Sequence, residues 1–161
     1  MNKNIAVFFG GKSYEHDISI LTGLQVLQAI DITKYNPIPV YIDIEGSWWT
    51  GNELLNINNY PITNIKKKNL KQITINIGDK NNSSRFKILN KKLFENSFIN
   101  FDIAFFAFHG NYGETGAMQG LMETCNIPYT GADILSSALY MSKIKTKYIC
   151  RNLNIKVLDE I

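Results

Sequence analysis

Apolar positions change their spacing several times along the chain, and each change marks an element. Residues 5–9 form a continuous apolar run that Gly10 and Gly11 end, the pattern of a strand buried on both faces. Beyond Ile18 the interval becomes helical. Ile20, Leu24 and Leu27, with Ile30 completing the stripe, predict a helix over 18–29. Residues 37–42 read as a second strand, which closes a β-α-β unit whose crossover is expected to be right-handed. The middle is less regular. Trp48 and Trp49 sit in a turn-rich stretch between Gly46 and Gly51, and residues 60–71 follow neither period. Residues 72–77 and 85–89 each alternate, with a polar, glycine-containing stretch at 78–82, which predicts a hairpin. Density of Phe, Ile and Ala then predicts another buried strand over 101–108, ending at His109 and Gly110. Ala117, Met118, Leu121, Met122 and Cys125 share one helical face, and 127–130 reads as a short strand or loop entry. Residues 134–141 read as a helix. Ser142 is a favoured N-cap for a further helix over 143–153, and 155–161 reads as the start of a strand.

Such alternation predicts an α/β fold: a Rossmann-like, mostly parallel sheet with helices on both faces and one antiparallel hairpin. Ligands in these folds sit at the carboxyl ends of strands, where loops enter helices. Two loops occupy that position and are rich in glycine and polar residues.

Composition narrows the classes of function. Hydrophobic residues make up 45% and charged residues 19% of 161 positions, values of an ordinary globular chain with one proper core. No apolar run approaches the roughly 20 residues that span a bilayer, and the apolar stretch near Met1 is too short for a secretory signal. A cytoplasmic location is expected. Cys125 and Cys150 lack Cys-x-x-Cys spacing and read as free thiols, with too few ligands for zinc. The net charge of +3 is mild. Lys66, Lys67, Lys68 and Lys71 form the one basic cluster, and without interleaved aromatic residues they read as a solvated loop or strand edge rather than a nucleic-acid surface.

The first loop is Gly10, Gly11, Lys12, Ser13, Tyr14, Glu15 and His16. Paired glycines allow a sharp turn and a close approach to a ligand. The loop has neither the full dinucleotide fingerprint nor a P-loop, which argues against an NAD-dependent oxidoreductase. Glu15 precedes the helix. There it either favours the helix dipole or, ionised at neutral pH, holds a substrate ammonium by a charge-assisted hydrogen bond. The second loop runs from His109 through Gly110, Asn111, Tyr112, Gly113, Glu114 and Thr115 to Gly116. Its glycines serve turns, and Glu114 suits a helix start. A titratable His109 at the mouth of a sheet points equally to a pocket.

Together the loops resemble the D-alanine–D-alanine ligase family of ATP-grasp enzymes. The family pattern G-G-x-S-x-E-H matches Gly10 to His16, with Ser19 in its place, and H-G-x-x-G-E-D-G followed by Q-G matches His109 to Gly120 except at Thr115. The stretch Ile127, Pro128, Tyr129, Thr130 and Gly131 and the later Ser137, Ala138 and Leu139 continue the match in order. The resemblance implies a ligase that uses ATP and Mg2+ to join two D-alanines through an acyl phosphate, making the dipeptide of the peptidoglycan stem. Glu15 is implied to anchor the ammonium of the first D-alanine, with Gly10, Gly11, Ser13 and His109 lining the pocket. Glu114 is implied to support it from behind, and Lys143 to reach a nucleotide phosphate. On its own Lys143 reads as an exposed helix lysine beside Lys145 and Lys147. A homodimer is implied as well.

Two positions depart from the family. Thr115 stands where Asp is usual, and Ser142 stands where the family has the Asp of a Met-Asp-Lys run. Residues 1–140 are expected to form the substrate-binding domain and 141–161 the start of an ATP-grasp domain. Its adenine pocket, metal-holding carboxylates and oxyanion-stabilising arginine would lie beyond Ile161. The isolated chain is therefore expected to be inactive. A non-catalytic dimerising or ligand-holding module, and a D-alanine–D-lactate or D-alanine–D-serine ligase fragment, are the alternatives.

Overall fold

The apolar run near the start becomes β1 (Lys3–Gly10), in which Ala6, Val7, Phe8 and Phe9 have no solvent exposure. It lies within a seven-stranded sheet of order β6 (Phe98–Ile99), β5 (Phe86–Ile88), β4 (Lys71–Ile75), β3 (Trp48–Thr50), β2 (Tyr35–Ile42), β1 and β7 (Ile103–Phe106). The structure is a computed structural model that describes residues 2–63, 67–78, 85–91, 93 and 95–158. β1 pairs in parallel with β2 (Tyr35–Ile42) over its whole length, and on its other side with β7 (Ile103–Phe106). Beyond β7, a parallel bridge between Ala104 and Tyr129 continues the sheet by a single residue pair.

Burial of β1 on both sides follows from its two helical covers. α1 (His16–Ala29) places Ile20, Leu24 and Leu27 against Val7 and Phe9. On the opposite face α2 (Ala117–Thr124) packs Met118 and Met122 over Ala6 and Phe8, joined by Cys125 and Ile127. α1 lies close to the sheet because Gly23 faces Phe9 without a side chain; a β-carbon there would overlap the Phe9 ring.

The antiparallel part is larger than the one hairpin expected. That hairpin exists as β4 (Lys71–Ile75) and β5 (Phe86–Ile88), with Ile73 opposite Ile88 and Ile75 opposite Phe86. Its turn, over 79–84, lies outside the described residues. β3 (Trp48–Thr50) and β6 (Phe98–Ile99) extend the sheet on either side of the hairpin. Both were invisible to periodicity, since two or three residues cannot show an alternation. β3 is placed by aromatic packing, Trp48 meeting Phe8 edge-on at 5.5 Å, and β6 by its ladder with β5, Ile99 opposite Phe86.

α3 (Ile134–Met141) and α4 (Lys143–Asn152) follow, capped by Asp133 accepting from Ser136 N at 2.7 Å and Ser142 accepting from Lys145 N at 3.5 Å. Neither helix buries a residue. The strand expected from 155 does not form over 155–158. The Ile155 N–H instead donates to Cys150 O at 2.9 Å, which closes the end of α4 rather than a sheet ladder. Both cysteines are free, Cys125 buried and Cys150 half-buried. Lys67 corrects the reading of the basic cluster as solvated: its ammonium is 2.8 Å from the buried Asp43 carboxylate and lies over the Trp49 ring. Lys66 lies outside the described residues.

Candidate functional site

The chain leaves β1 toward β2 on one side, while β7 occupies the other side, so β1 and β7 flank the switch point of the parallel sheet. A crevice opens at the carboxyl ends of such strands. Both glycine-rich loops leave from these ends. Ser19 holds the two exits together. Fully buried, its hydroxyl accepts from Gly10 N at 2.8 Å and donates to Ala107 O at 2.9 Å.

Gly10 and Gly11 have φ of 84° and 98°, in the left-handed region that glycine tolerates. A β-carbon at Gly10 would strike the Ile42 carbonyl, so its close approach is to β2. His16 braces this turn. Its Nδ1 is 2.7 Å from Gly11 O, which can only accept, so Nδ1 carries a proton. In the tautomer with Nδ1 alone protonated, Nε2 accepts from Tyr41 OH at 3.0 Å. Burial, reinforced by nearby Asp43, pushes the Tyr41 phenol above its ordinary range and keeps that donor protonated.

Glu15 occupies the N-cap position of α1, yet its side chain makes no capping bond. Ser13 supplies an oxygen there instead, accepting from Glu15 N at 3.1 Å. The Glu15 carboxylate is left to reach the second loop, where it lies against Gly110. A β-carbon on Gly110 would stand 2.6 Å from Glu15 Oε2 and would overlap Ser13 Oγ. Gly110 N donates to Glu114 Oε2 at 2.8 Å, and Glu114 N returns a bond to Gly110 O at 3.1 Å. Glu114 thus fixes the backbone of Gly110 and, through it, the position of His109.

His109 is half-buried and meets α1 directly: its Nε2 is 2.8 Å from Thr22 Oγ1. Thr22 follows Glu15 by seven residues, two turns or about 10 Å along the helix. The structure therefore brings Ser13, Glu15, His109, Gly110 and Glu114 together where the two loops meet, while Gly10 lies against Ile42 and Tyr41 of β2 and Gly11 near the Phe108 ring. Lys143 stands apart, exposed on the first turn of α4 and without an ion pair or hydrogen bond to these loops among the described residues. Reading the sequence missed Thr22, although its seven-residue offset from Glu15 placed both on one helical face. It also left the bracing roles of Ser19 and His16 unassigned.

A well-formed cavity lies elsewhere. About 790 Å3 in volume, it is lined by His16, Ile20, Tyr41, Asp43, Tyr60 and Lys67 among others. It includes neither Glu15 nor His109. A smaller hollow of about 490 Å3 opens between the second loop and α3, with Glu114, Gln119 and Ser137 on its walls. The meeting of the two loops remains the better candidate, because there the exposed Glu15 carboxylate lies against Gly110, which admits no side chain, beside a His109 imidazole held by Thr22.

Residues 4–132 match the family described as D-ala D-ala ligase N-terminus. The chain belongs to that family. A D-alanine–D-alanine ligase of Thermosipho melanesiensis is 41% identical over 156 residues, spanning 97% of this chain and 41% of the relative. The solved D-alanine–D-alanine ligase of Coxiella burnetii superposes with a TM-score of 0.84 at 33% identity, covering 98% of this chain and 43% of that one. The VanG D-Ala:D-Ser ligase of Enterococcus faecalis superposes with a TM-score of 0.80 at 30% identity, covering 99% and 44%. The chain thus spans less than half the length of these ligase relatives. Among the described residues, no helix is long and apolar enough to cross a membrane.

Proposed function

We propose that this chain is the amino-terminal, substrate-binding part of an ATP-dependent D-alanine–D-alanine ligase. In this reading Glu15 takes the ammonium of the first D-alanine, His109 lines the same pocket, and Gly10, Gly11 and Ser13 shape its edge. Glu114 acts through Gly110. A charge-assisted hydrogen bond from an ammonium to Glu15 contributes about 1.5–3 kcal/mol. Residues 1–140 form the substrate domain and 141–161 begin an ATP-grasp domain, with Lys143 reaching a nucleotide phosphate once that domain is in place. The observation that supports the reading most is the meeting of the Glu15 carboxylate with Gly110 beside His109.

ATP supplies the phosphoryl group that activates the carboxylate, and the dipeptide serves peptidoglycan synthesis in the cytoplasm. A homodimer belongs to the same reading. The described residues hold no cluster of three or more His, Cys, Asp or Glu side chains able to take a metal ion. Likeness to a D-Ala:D-Ser ligase as well as to D-alanine–D-alanine ligases favours a role for this part toward the shared first D-alanine.

The test is D-alanine-dependent ADP release. The isolated 161-residue chain is expected to release none. Joined to the remaining length of the Thermosipho melanesiensis ligase it is expected to release ADP, and to lose that activity with Glu15→Gln. A folded chimera indifferent to Glu15→Gln would refute the assignment.

A further inference from the structure

Thr22 Oγ1 and His109 Nε2, 2.8 Å apart, join the second loop to the helix that Glu15 opens. Other helical threonines spend their hydroxyl hydrogens locally. Thr124 donates to Gly120 O at 2.8 Å, and Thr146 to Ser142 O at 3.0 Å, each a carbonyl four residues back. Thr22 makes no such bond among the described residues, so its hydrogen is available to a nitrogen acceptor. A neutral imidazole that accepts at Nε2 carries its proton on Nδ1. His109 Nδ1 has no partner of its own among the described residues.

We propose that Thr22 is a positioning residue for the ligand crevice: by donating to Nε2 it orients the His109 ring and holds the Nδ1–H tautomer. His109 then presents an N–H donor, suited to the carboxylate of a bound amino acid whose ammonium Glu15 takes. Thr22 itself touches no ligand. The inference rests on the reading of this crevice as an amino-acid pocket, and its ligand is the D-alanine of that reading.

Ring 15N spectra test it directly, because the chain holds only His16 and His109. His16 serves as an internal reference, its Nδ1 already committed to the Gly11 carbonyl. At a pH where His109 is neutral, wild type and Thr22→Ser should carry the His109 proton on Nδ1. Thr22→Val, isosteric but without the donor, should shift it to Nε2 and leave His16 unchanged. D-Alanine affinity should fall about tenfold in Thr22→Val, the loss expected for about 1.4 kcal/mol, and stay within about twofold in Thr22→Ser. A wild-type His109 with its proton on Nε2, or one tautomer shared by wild type and Thr22→Val, overturns the proposal; the wild-type spectrum suffices for the first of these. A tautomer switch without D-alanine binding upholds Thr22 and removes the amino-acid reading. D-Alanine binding without the switch does the reverse.

Discussion

Gly110 makes room for Glu15 by lacking a side chain. Its φ of 75° is left-handed, and the space where a β-carbon would stand is 2.6 Å from Glu15 Oε2. Two independent constraints, backbone conformation and a neighbouring carboxylate, require glycine at one position. The two loops are therefore one unit, because neither can adopt its shape while ignoring the other.

Gly110→Ala should show this coupling. The left-handed conformation costs about 1–2 kcal/mol for a residue with a β-carbon, and the methyl would displace the Glu15 carboxylate. Urea denaturation should report that loss with an unchanged m-value. D-Alanine affinity, measured by calorimetry under folding conditions, should fall at least about tenfold, since the displaced group is a charge-assisted partner. A variant as stable as wild type with full affinity would mean the loops are not coupled.

Ser19 offers a second test. Removing its hydroxyl by Ser19→Ala leaves the Gly10 N–H and the Ala107 carbonyl without this partner at a site with no solvent access. Two deprived buried groups cost about 2–4 kcal/mol together. Chemical denaturation should show a loss of that order. A change below about 0.5 kcal/mol, the usual surface value, would show that the bridge between the strand exits is dispensable.

Acid stability should depend on Asp43. Burial alone would raise its carboxyl, but hydrogen bonds from Lys67, Trp49 and Ser47 outweigh burial and hold it below the ordinary carboxylate value. Its folded pKa is thus lower than its unfolded one, near about 3.9. The charged form stabilises the fold above that unfolded value, and the contribution is lost as pH falls through the folded pKa. Asp43→Asn should destabilise by about 2 kcal/mol at pH 7, and its gap from wild type should narrow as pH drops below about 4. Denaturation curves across that interval decide it; a gap independent of pH would deny the ionic role.

How far these features could be read from the chain depended on the range of the interactions that make them. β1, α1, β2 and both loops follow from local patterns: an apolar run, a helical stripe, and glycines at forced turns. The α2 face was equally plain from Met118, Met122 and Cys125. β3 and β6 were not, because strands this short owe their place to partners remote in sequence. Thr22 and His109 are 87 residues apart, and Ser19 reaches Ala107 across 88. Nothing in a local window signals such contacts. Lys67 was misjudged for the same reason, since its partner Asp43 lies 24 residues earlier. Lys143, which the family resemblance implies reaches a nucleotide phosphate, is exposed on the first turn of α4.

In the proposed function Glu15 and the second loop form one amino-acid pocket at the switch point. Titrating the 15N-labelled chain with D-alanine, in parallel with Glu15→Gln, tests it most directly. The expected result is saturable amide shifts at Gly10, Gly11 and Gly110, with affinity at least about tenfold weaker in Glu15→Gln and an unchanged melting temperature. Shifts confined to Tyr41, Tyr60 and Lys67 around the larger cavity, or a response indifferent to Glu15→Gln, would contradict it.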